Sequence, residues 1–285
     1  MSNGCAGLLE TDAPAGLADA MLDAAAAFFA LPDEEKLVVH IRQSPHFRGY
    51  SVMHNRRDWR EQIHFGAERE PGGAGWRSLE GPNQWPAALG PSWRELVLEY
   101  LHQAASAGQR LLRDLGLPVA AHPYLLLKMI CYHPQTDSAG TRSGVAPHCD
   151  WSWLTLVLQD RTGGLEALDP AGRWRPVLPP PGRLSVHLGE IAEIATDGRL
   201  RSEPHRVLNP SRSRARISIP VFLCPPLPDT VAADASPLGA KETHVHRVRN
   251  PASHWRSFHF GESEWNRKAR GQWCWRRQCL RESTD

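Results

Sequence analysis

From Tyr124 to Cys224 the chain breaks into short strand-like runs, and turn sequences separate them. The runs are Tyr124–Tyr132, Trp153–Gln159, Leu165–Asp169, Trp174–Leu178, Arg183–Leu188, Arg199–Leu208 and Arg216–Cys224. Between them stand turn-forming stretches at 160–164, 169–172 and 179–182, and the pair Asn209-Pro210. Gly and Pro in such stretches supply the backbone angles that reverse a chain. Strands this short, with no helix-length segment between them, build a sandwich or barrel and exclude a parallel sheet made of βαβ units.

Ahead of this region the period changes. Leu17, Met21, Ala25 and Phe28 recur at helical spacing and predict a helix over 17–29, and a second, short helix opens at Pro32. Residues 70–91 are rich in Gly and Pro and read as a long loop. Ser92 and Glu95 have the spacing of a capping box, and Leu96, Val97, Tyr100, Leu101, Ala104 and Ala105 form the apolar stripe behind it. Gly116 and Pro118 mark the end of that helix. The expected organisation is a single domain over 1–285. A helical part over 1–123 braces a mainly β core over 124–225, and an extension over 226–285 holds a last element near Phe258 to Trp265.

Composition sets the broad class. Hydrophobic residues make up 41% of 285 residues, enough for a substantial core, and the formal charge is only +2. No basic stripe or acidic tail is visible, so nucleic acid is not an expected partner. No apolar run reaches membrane-spanning length, and the first residues lack the pattern of a signal peptide. Six cysteines are scattered without CxxC spacing. These features predict a reduced, cytoplasmic enzyme acting on a small molecule, as a monomer or weak homodimer.

The chemistry centres on His148-Cys149-Asp150. On a strand, residues two apart share a face, so His148 and Asp150 can reach one ion, and a distant histidine, His205, can close a third corner. Two imidazoles and a carboxylate on one side of an octahedron leave positions open, as non-heme Fe(II) requires for O2 chemistry. H-x-D alone is common by chance. The strand from Arg216 gives it context: Ile217, Ile219, Val221 and Leu223 are uniformly apolar, whereas Arg216, Ser218, Pro220 and Phe222 share the opposite face. A guanidinium turned into a barrel is costly unless an anion meets it, and with the Ser218 hydroxyl beside it a carboxylate fits.

The segments APHCDWSWLTLVLQDRTGGLEALDPAGRWRPV, PGRLSVHLGEIAEIATDGRLRSEPHRV and RARISIPVF resemble the isopenicillin N synthase-like group of Fe(II)/2-oxoglutarate-dependent dioxygenases. FFALPDEEK, SPHFRGY, DWREQIHFG and FHFGESEW continue the likeness, which runs from about Gly16 to Trp265. The resemblance implies a double-stranded β-helix, or jelly roll, with Fe(II) at its mouth and 2-oxoglutarate and O2 as co-substrates. It implies His148, Asp150 and His205 as metal ligands, and Arg216, Ser218 and Tyr132 around the far carboxylate of 2-oxoglutarate. The reaction implied is decarboxylation to succinate and CO2, coupled to hydroxylation or desaturation at an unactivated C–H bond of a small molecule. Asp150 speaks against the related halogenases, which have a small residue there. Family breadth and the Ala/Arg/Pro-rich composition direct the expectation to bacterial secondary metabolism.

For the substrate, the resemblance places Arg48, Tyr50, His64 and Phe222 at the mouth, with Arg48 or Arg57 as a carboxylate partner. Trp151 and Trp153, with Trp59 and Trp76, are candidates for an apolar wall. Two departures from the family stand out: its opening strand, reading like IPVIDL, has no counterpart here, and Ile130 replaces a polar residue two positions before Tyr132. His187 reads as a satisfied core histidine, and His244, His246, His254 and His259 lack a carboxylate that would make them a second metal site. The alternatives are a 2-oxoglutarate-independent iron oxidase of the isopenicillin N synthase type and a non-catalytic jelly-roll binding module.

Overall fold

Strand parity decides the architecture, because each long strand has one face for helices and one for a cavity. The computed structural model describes residues 9–14, 16–55, 57–134, 143–208, 213–232, 257–265 and 268. The N-terminal part holds β1 (Leu9–Asp12), α1 (Ala18–Phe29), α2 (Asp33–Val38), β2 (Gly49–His54), β3 (Trp59–Phe65) and α3 (Gly90–Asp114). Then come β4 (Tyr124–Tyr132), β5 (Ser143–His148), β6 (Leu154–Gln159), β7 (Leu165–Leu168), β8 (Trp174–Pro176) and β9 (Arg183–Leu188). The described chain closes with α4 (Glu190–Ala195), β10 (His205–Leu208), β11 (Arg216–Cys224), β12 (Thr230–Ala232) and β13 (Ser257–His259).

Seven strands form the larger sheet in the order β1-β9-β6-β11-β4-β3-β2, and four form the second, β5-β10-β7-β8. The pairings between their strands are antiparallel, and the two sheets enclose a cavity lined from both sides, the arrangement of a jelly roll. On β11 the odd-numbered Ile219, Val221 and Leu223 have no exposed surface; with Leu125, Leu127 and Met129 of β4 they join the cluster that includes Met21 and Phe28 of α1 and Val97 and Tyr100 of α3. Full burial of each such side chain contributes roughly 1.5–3 kcal/mol. The even-numbered residues of both strands face the cavity.

Several expectations change. The N-terminal part is not purely helical, since β1, β2 and β3 all join the larger sheet. β1 occupies the sheet edge beside β9, Leu9 opposite Val186, so the chain does supply an edge strand where the family's opening motif is missing. α3 begins at Gly90, not Ser92: a positive φ at Gly90 makes the turn, Pro91 presets the first helical turn, and no side chain caps it. Gly116, also at positive φ, ends that helix as expected. Only His205–Leu208 of the predicted 199–208 run is strand, and α4, β2, β3 and β5 go beyond the sequence reading. Among the described residues no helix is long and apolar enough to cross a membrane.

Candidate active site

β5 and β10 are neighbours in the second sheet, with His148 directly opposite His205. That register brings the two imidazoles to 4.4 Å between ring centroids. β5 ends at His148, so Asp150 lies beyond the strand and reaches the rings through a bend, contrary to the expectation that both share one strand. The bend is fixed from behind: the Glu190 N–H at the start of α4 donates to the Asp150 carbonyl at 2.7 Å. Asp150 Oδ1 then stands 3.6 Å from Nε2 of His148 and 3.6 Å from Nε2 of His205.

The chemistry of this donor set fits a transition metal. His148 Nδ1 lies 2.9 Å from the Ala146 carbonyl and His205 Nδ1 3.1 Å from the Glu203 carbonyl. A carbonyl only accepts, so each neutral ring carries its proton on Nδ1 and turns the Nε2 lone pair toward Asp150. The three ligand atoms lie within 4.8 Å of one another. Two imidazole nitrogens and one carboxylate suit Fe(II) with open positions, and the carbonyls behind the rings supply the orientation such ligands need. Burial would raise the pKa of Asp150, but the two imidazoles outweigh it and hold the carboxyl well below its ordinary range. Burial lowers that of His148; in His205 it is outweighed by Asp150 and the Glu203 carbonyl, which pull the value up.

Arg216 has no exposed surface. Its Nε donates to the Gly163 carbonyl at 2.6 Å and its Nη2 to Gln159 Oε1 at 2.6 Å, while Nη1 has no hydrogen-bond partner among the described residues. Gln159 is itself tied down, donating to the Val177 carbonyl at 2.9 Å. The guanidinium lies over the ring of Tyr132, its cross-strand partner, 5.0 Å from the centroid. Gly144 makes room for that ring, since a Cβ there would come within 2.6 Å of Tyr132 Cδ1. Ser218, two residues along the same face, is also buried. The result is a cation locked in place with one donor left over, a seat for a carboxylate. Gln159 was invisible as a site residue; the signal is a polar side chain closing the apolar strand β6.

The cavity above these groups has a volume of about 620 Å³. Trp151, Phe222 and Arg57 line it, as do the triad, Arg216, Ser218 and Tyr132. The structure does not bring Arg48, Tyr50, His64 or Trp153 into that lining. Arg48 is buried and directs its donors to the His46 and Leu79 carbonyls and the Tyr124 hydroxyl. Tyr50 donates to Glu61 at 2.7 Å on the outer side of the sheet. Trp153 packs in the main apolar cluster. His64 is buried, with neither ring nitrogen partnered among the described residues, and burial drives its pKa well below the usual histidine value. Trp59 stacks on His54 at 4.1 Å, and Trp76 packs on His259 at 4.9 Å.

Other side chains enter the wall unannounced: Lys128, Arg60 and Glu264. His187 is not a satisfied core residue. It lines the cavity with its ring 4.8 Å from that of His205, shares one bond with Ser185, and has Nδ1 unpartnered among the described residues; burial lowers its pKa to about 3. Cys149 also faces the cavity, and burial pushes its thiol up to about 12, away from the reactive thiolate. Glu61, Cys131 and His133 form a second group of metal-capable side chains, but Lys36 and Tyr50 already occupy the Glu61 carboxylate. His244, His246 and His254 lie outside the described residues.

Comparison with known proteins decides the family. Residues 121–225 match the model of the 2OG-Fe(II) oxygenase superfamily, and residues 1–88 match that of the N-terminal region described for a non-haem dioxygenase in morphine synthesis. The 2-oxoglutarate-Fe(II) type oxidoreductase hxnY of Emericella nidulans is 31% identical over 249 residues, which cover 76% of this chain and 71% of the relative. The chain belongs to the 2OG-Fe(II) oxygenase superfamily. It is an Fe(II)- and 2-oxoglutarate-dependent dioxygenase, and the triad fits the metal. A homoarginine-6-hydroxylase of Arabidopsis thaliana is 30% identical to this oxygenase, with 65% of the chain matching 62% of the relative. The structure of a 2OG-Fe(II) oxygenase family protein from Caulobacter crescentus superposes with a TM-score of 0.71 at 28% identity, over 94% of this chain and 90% of that one. A dioxygenase for auxin oxidation from rice shares the fold with a TM-score of 0.66 at 27% identity, over 93% and 86% of the two chains.

Proposed function

We propose that this oxygenase oxidises an unactivated C–H bond of a small molecule, and that His148, Asp150 and His205 hold its Fe(II). Arg216, Ser218 and Tyr132 hold the far carboxylate of 2-oxoglutarate. The observation that carries this reading is Arg216 Nη1: a buried guanidinium donor without a partner among the described residues, in the same cavity as the triad. Burying a charge without its counter-ion is costly, so the site is built for an anion that arrives with the co-substrate.

When bound, Fe(II) supplies oxidative decarboxylation of 2-oxoglutarate by O2 to succinate and CO2, with oxidation of the substrate C–H bond. The chain's own groups do the rest. The Ala146 and Glu203 carbonyls keep each imidazole in the Nδ1–H tautomer, so Nε2 remains a ligand. Gln159 and Gly163 aim Arg216 before any ligand is present, so little is lost to reorganisation when the carboxylate docks. Trp151 and Phe222 bound the space over the metal, exclude water and present flat apolar surface to the substrate.

The test is an anaerobic 2-oxoglutarate titration of the Fe(II)-loaded protein, followed by succinate and O2 measurements in air. Metal-dependent 2-oxoglutarate binding and succinate release that both disappear in His205→Ala support the assignment. O2 uptake without succinate would point to the oxidase reaction that dispenses with 2-oxoglutarate. Unchanged ligand binding in His205→Ala, with no turnover in either protein, would point to a binding module.

A further inference from the structure

We propose that His187 is a further co-substrate-binding residue, donating a hydrogen bond to the carboxylate oxygen that remains when the 2-oxo acid head of 2-oxoglutarate chelates the metal. This rests on the oxygenase reading above and adds a residue to its co-substrate site. His187 is 1% exposed, lies on β9 and lines the cavity. β9 belongs to the larger sheet, whereas His148 and His205 stand on β5 and β10 of the smaller one. The His187 ring thus meets the triad from the other wall, 4.8 Å from the His205 ring and tilted 41° to it. It stands outside the group of ligand atoms that His148, Asp150 and His205 bring within 4.8 Å of one another.

A neutral imidazole has one N–H and one lone pair, and each needs a partner once buried. Nε2 of His187 has Ser185 Oγ at 3.2 Å, two residues back along β9. Nδ1 is buried and has no partner among the described residues. Thr155, the cross-strand neighbour of His187 on β6, shares its hydroxyl with that of Ser152 at 3.2 Å. With the Ser185 hydroxyl donating to Nε2, the ring proton falls on Nδ1, and the ring keeps one donor for whatever fills the cavity.

The order of residues along the shared face selects the ligand atom that meets it. Arg216, opposite Tyr132, opens β11; Ser218 and then Phe222 follow, and Phe222 leads through Thr155 on β6 to His187. Ser218 and Phe222 are four residues apart, about 13 Å at the rise of an extended strand. A diacid whose far carboxylate sits at Arg216 and Ser218 therefore sends its other end toward the row that finishes at His187, against the triad. In 2-oxoglutarate that end is a 2-oxo acid with three oxygens. A bidentate chelate uses two of them and leaves one carboxylate oxygen as an acceptor. Burying such an oxygen without a donor is costly, and His187 Nδ1–H is a donor on this wall that the described residues leave unused.

The test uses the full chain loaded with Zn(II), which has no redox chemistry and holds the ligand without turnover. Its probes are 2-oxoglutarate and 4-oxopentanoate, which keeps the far carboxylate and the keto oxygen but ends in a methyl group. Binding is read by calorimetry for the first and by ligand-observed NMR for the second. A charge-assisted hydrogen bond corresponds to roughly ten- to a hundredfold in affinity. His187→Leu should therefore weaken 2-oxoglutarate by that factor and leave 4-oxopentanoate within about threefold. His187→Asn, whose amide N–H can take the place of Nδ1–H, should recover most of the loss. In the unaltered protein a slowly exchanging imidazole N–H proton should appear by NMR with 2-oxoglutarate but not with 4-oxopentanoate, and it should be missing from His187→Asn. An unchanged 2-oxoglutarate affinity in His187→Leu, an equal loss of both ligands in both variants, or the absence of that proton would overturn the contact and leave the oxygenase reading standing. Weaker Zn(II) binding with undiminished 2-oxoglutarate affinity at saturating metal would assign the ring to the support of His205 and overturn the contact as well. Failure of the unaltered protein to bind 2-oxoglutarate would remove both readings.

Discussion

Replacing Arg216 with methionine tests the co-substrate seat most directly. The change keeps the apolar stem and removes a guanidinium held by Gly163 and Gln159 at 2.6 Å each, with Nη1 unpartnered among the described residues. Truncating one side of a buried, hydrogen-bonded charge pair costs about 2–5 kcal/mol, which is roughly thirtyfold to several thousandfold in the 2-oxoglutarate Kd. Thermal unfolding reads the same quantity. A ligand at a hundred times its Kd stabilises a protein by about 2.7 kcal/mol, and for a chain of this size that raises Tm by about 4–5 °C. Wild type loaded with Mn(II) should show that rise at such a 2-oxoglutarate concentration, and Arg216→Met should show almost none at the same concentration. Without 2-oxoglutarate the variant's stability should change by two opposing effects: the Gly163 and Gln159 acceptors lose their donor, and the cost of burying a guanidinium with no ion pair among the described residues is relieved. The reasoning fails if Arg216→Met keeps the thermal shift and a Kd within about threefold of wild type.

Asp150→Ala should lower metal affinity by more than the ten- to hundredfold typical of changes behind a ligand, read by competition with a chromogenic chelator; unchanged affinity would remove Asp150 from the ligand set. Gly108 faces Leu223, and a Cβ there would collide with the Leu223 side chain. Gly108→Ala should therefore destabilise by about 1–3 kcal/mol, although alanine is the better helix former; the Leu223→Ala background should reverse the sign, and additive effects in that double-mutant cycle would refute the contact. Glu61 gives a pH signature. Burial works to raise its pKa, but bonds from His133, Tyr50 and Lys36 prevail and hold it at about 2 instead of 4.5. A depressed carboxylate stabilises the fold fully above its unfolded value and loses that contribution as pH falls through the folded one. The Tm of wild type should thus drop from about pH 4.5 toward 2 more steeply than that of Glu61→Gln, and parallel curves would refute the assignment.

How much the sequence reveals depends on whether a residue's partners are local. β11 is legible because its two parities differ so sharply: the odd row is apolar, and the even row begins with an arginine that has no business in a core. β4 and β9 match the runs predicted for them, and the triad and the carboxylate seat follow from those strands and the turns beside them. β1 is illegible because Leu9-Glu-Thr-Asp12 has no periodicity of its own and becomes a strand only by pairing with β9. β5, short and containing Pro147, becomes a strand against β10 in the same way. Residues 199–204 look strand-like but are held as a connection, with the Ser202 N–H and hydroxyl donating to Glu193 of α4. Arg48 shows the limit for site residues. Sequence shows that a cation is there; only the fold shows that its terminal nitrogens are directed to the His46 and Leu79 carbonyls and the Tyr124 hydroxyl, and that Arg48 itself does not line the cavity.

Lys128 inverts that lesson and sharpens it. In Tyr124-Leu-Leu-Leu-Lys-Met-Ile-Cys-Tyr132 the lysine breaks a nine-residue strand whose other members are apolar or aromatic. It has the same parity as Tyr132, and so the same cavity. A polar residue amid apolar ones on a loop means little, because a loop can turn it to water. On a central strand with both faces covered it has nowhere to turn, and its parity then fixes which side must accommodate it. Arg216 on β11 and Lys128 on β4 obey this logic, each a cation on an inner strand of the larger sheet, and both line the same 620 Å³. Gln159, the amide that closes β6, extends it by one step, since its side chain meets Arg216 and fixes how the guanidinium is aimed. The odd faces of β4 and β11 provide the core packing that keeps their even faces in register, so the polar groups of this cavity are a few interruptions in a sheet that is otherwise built for stability.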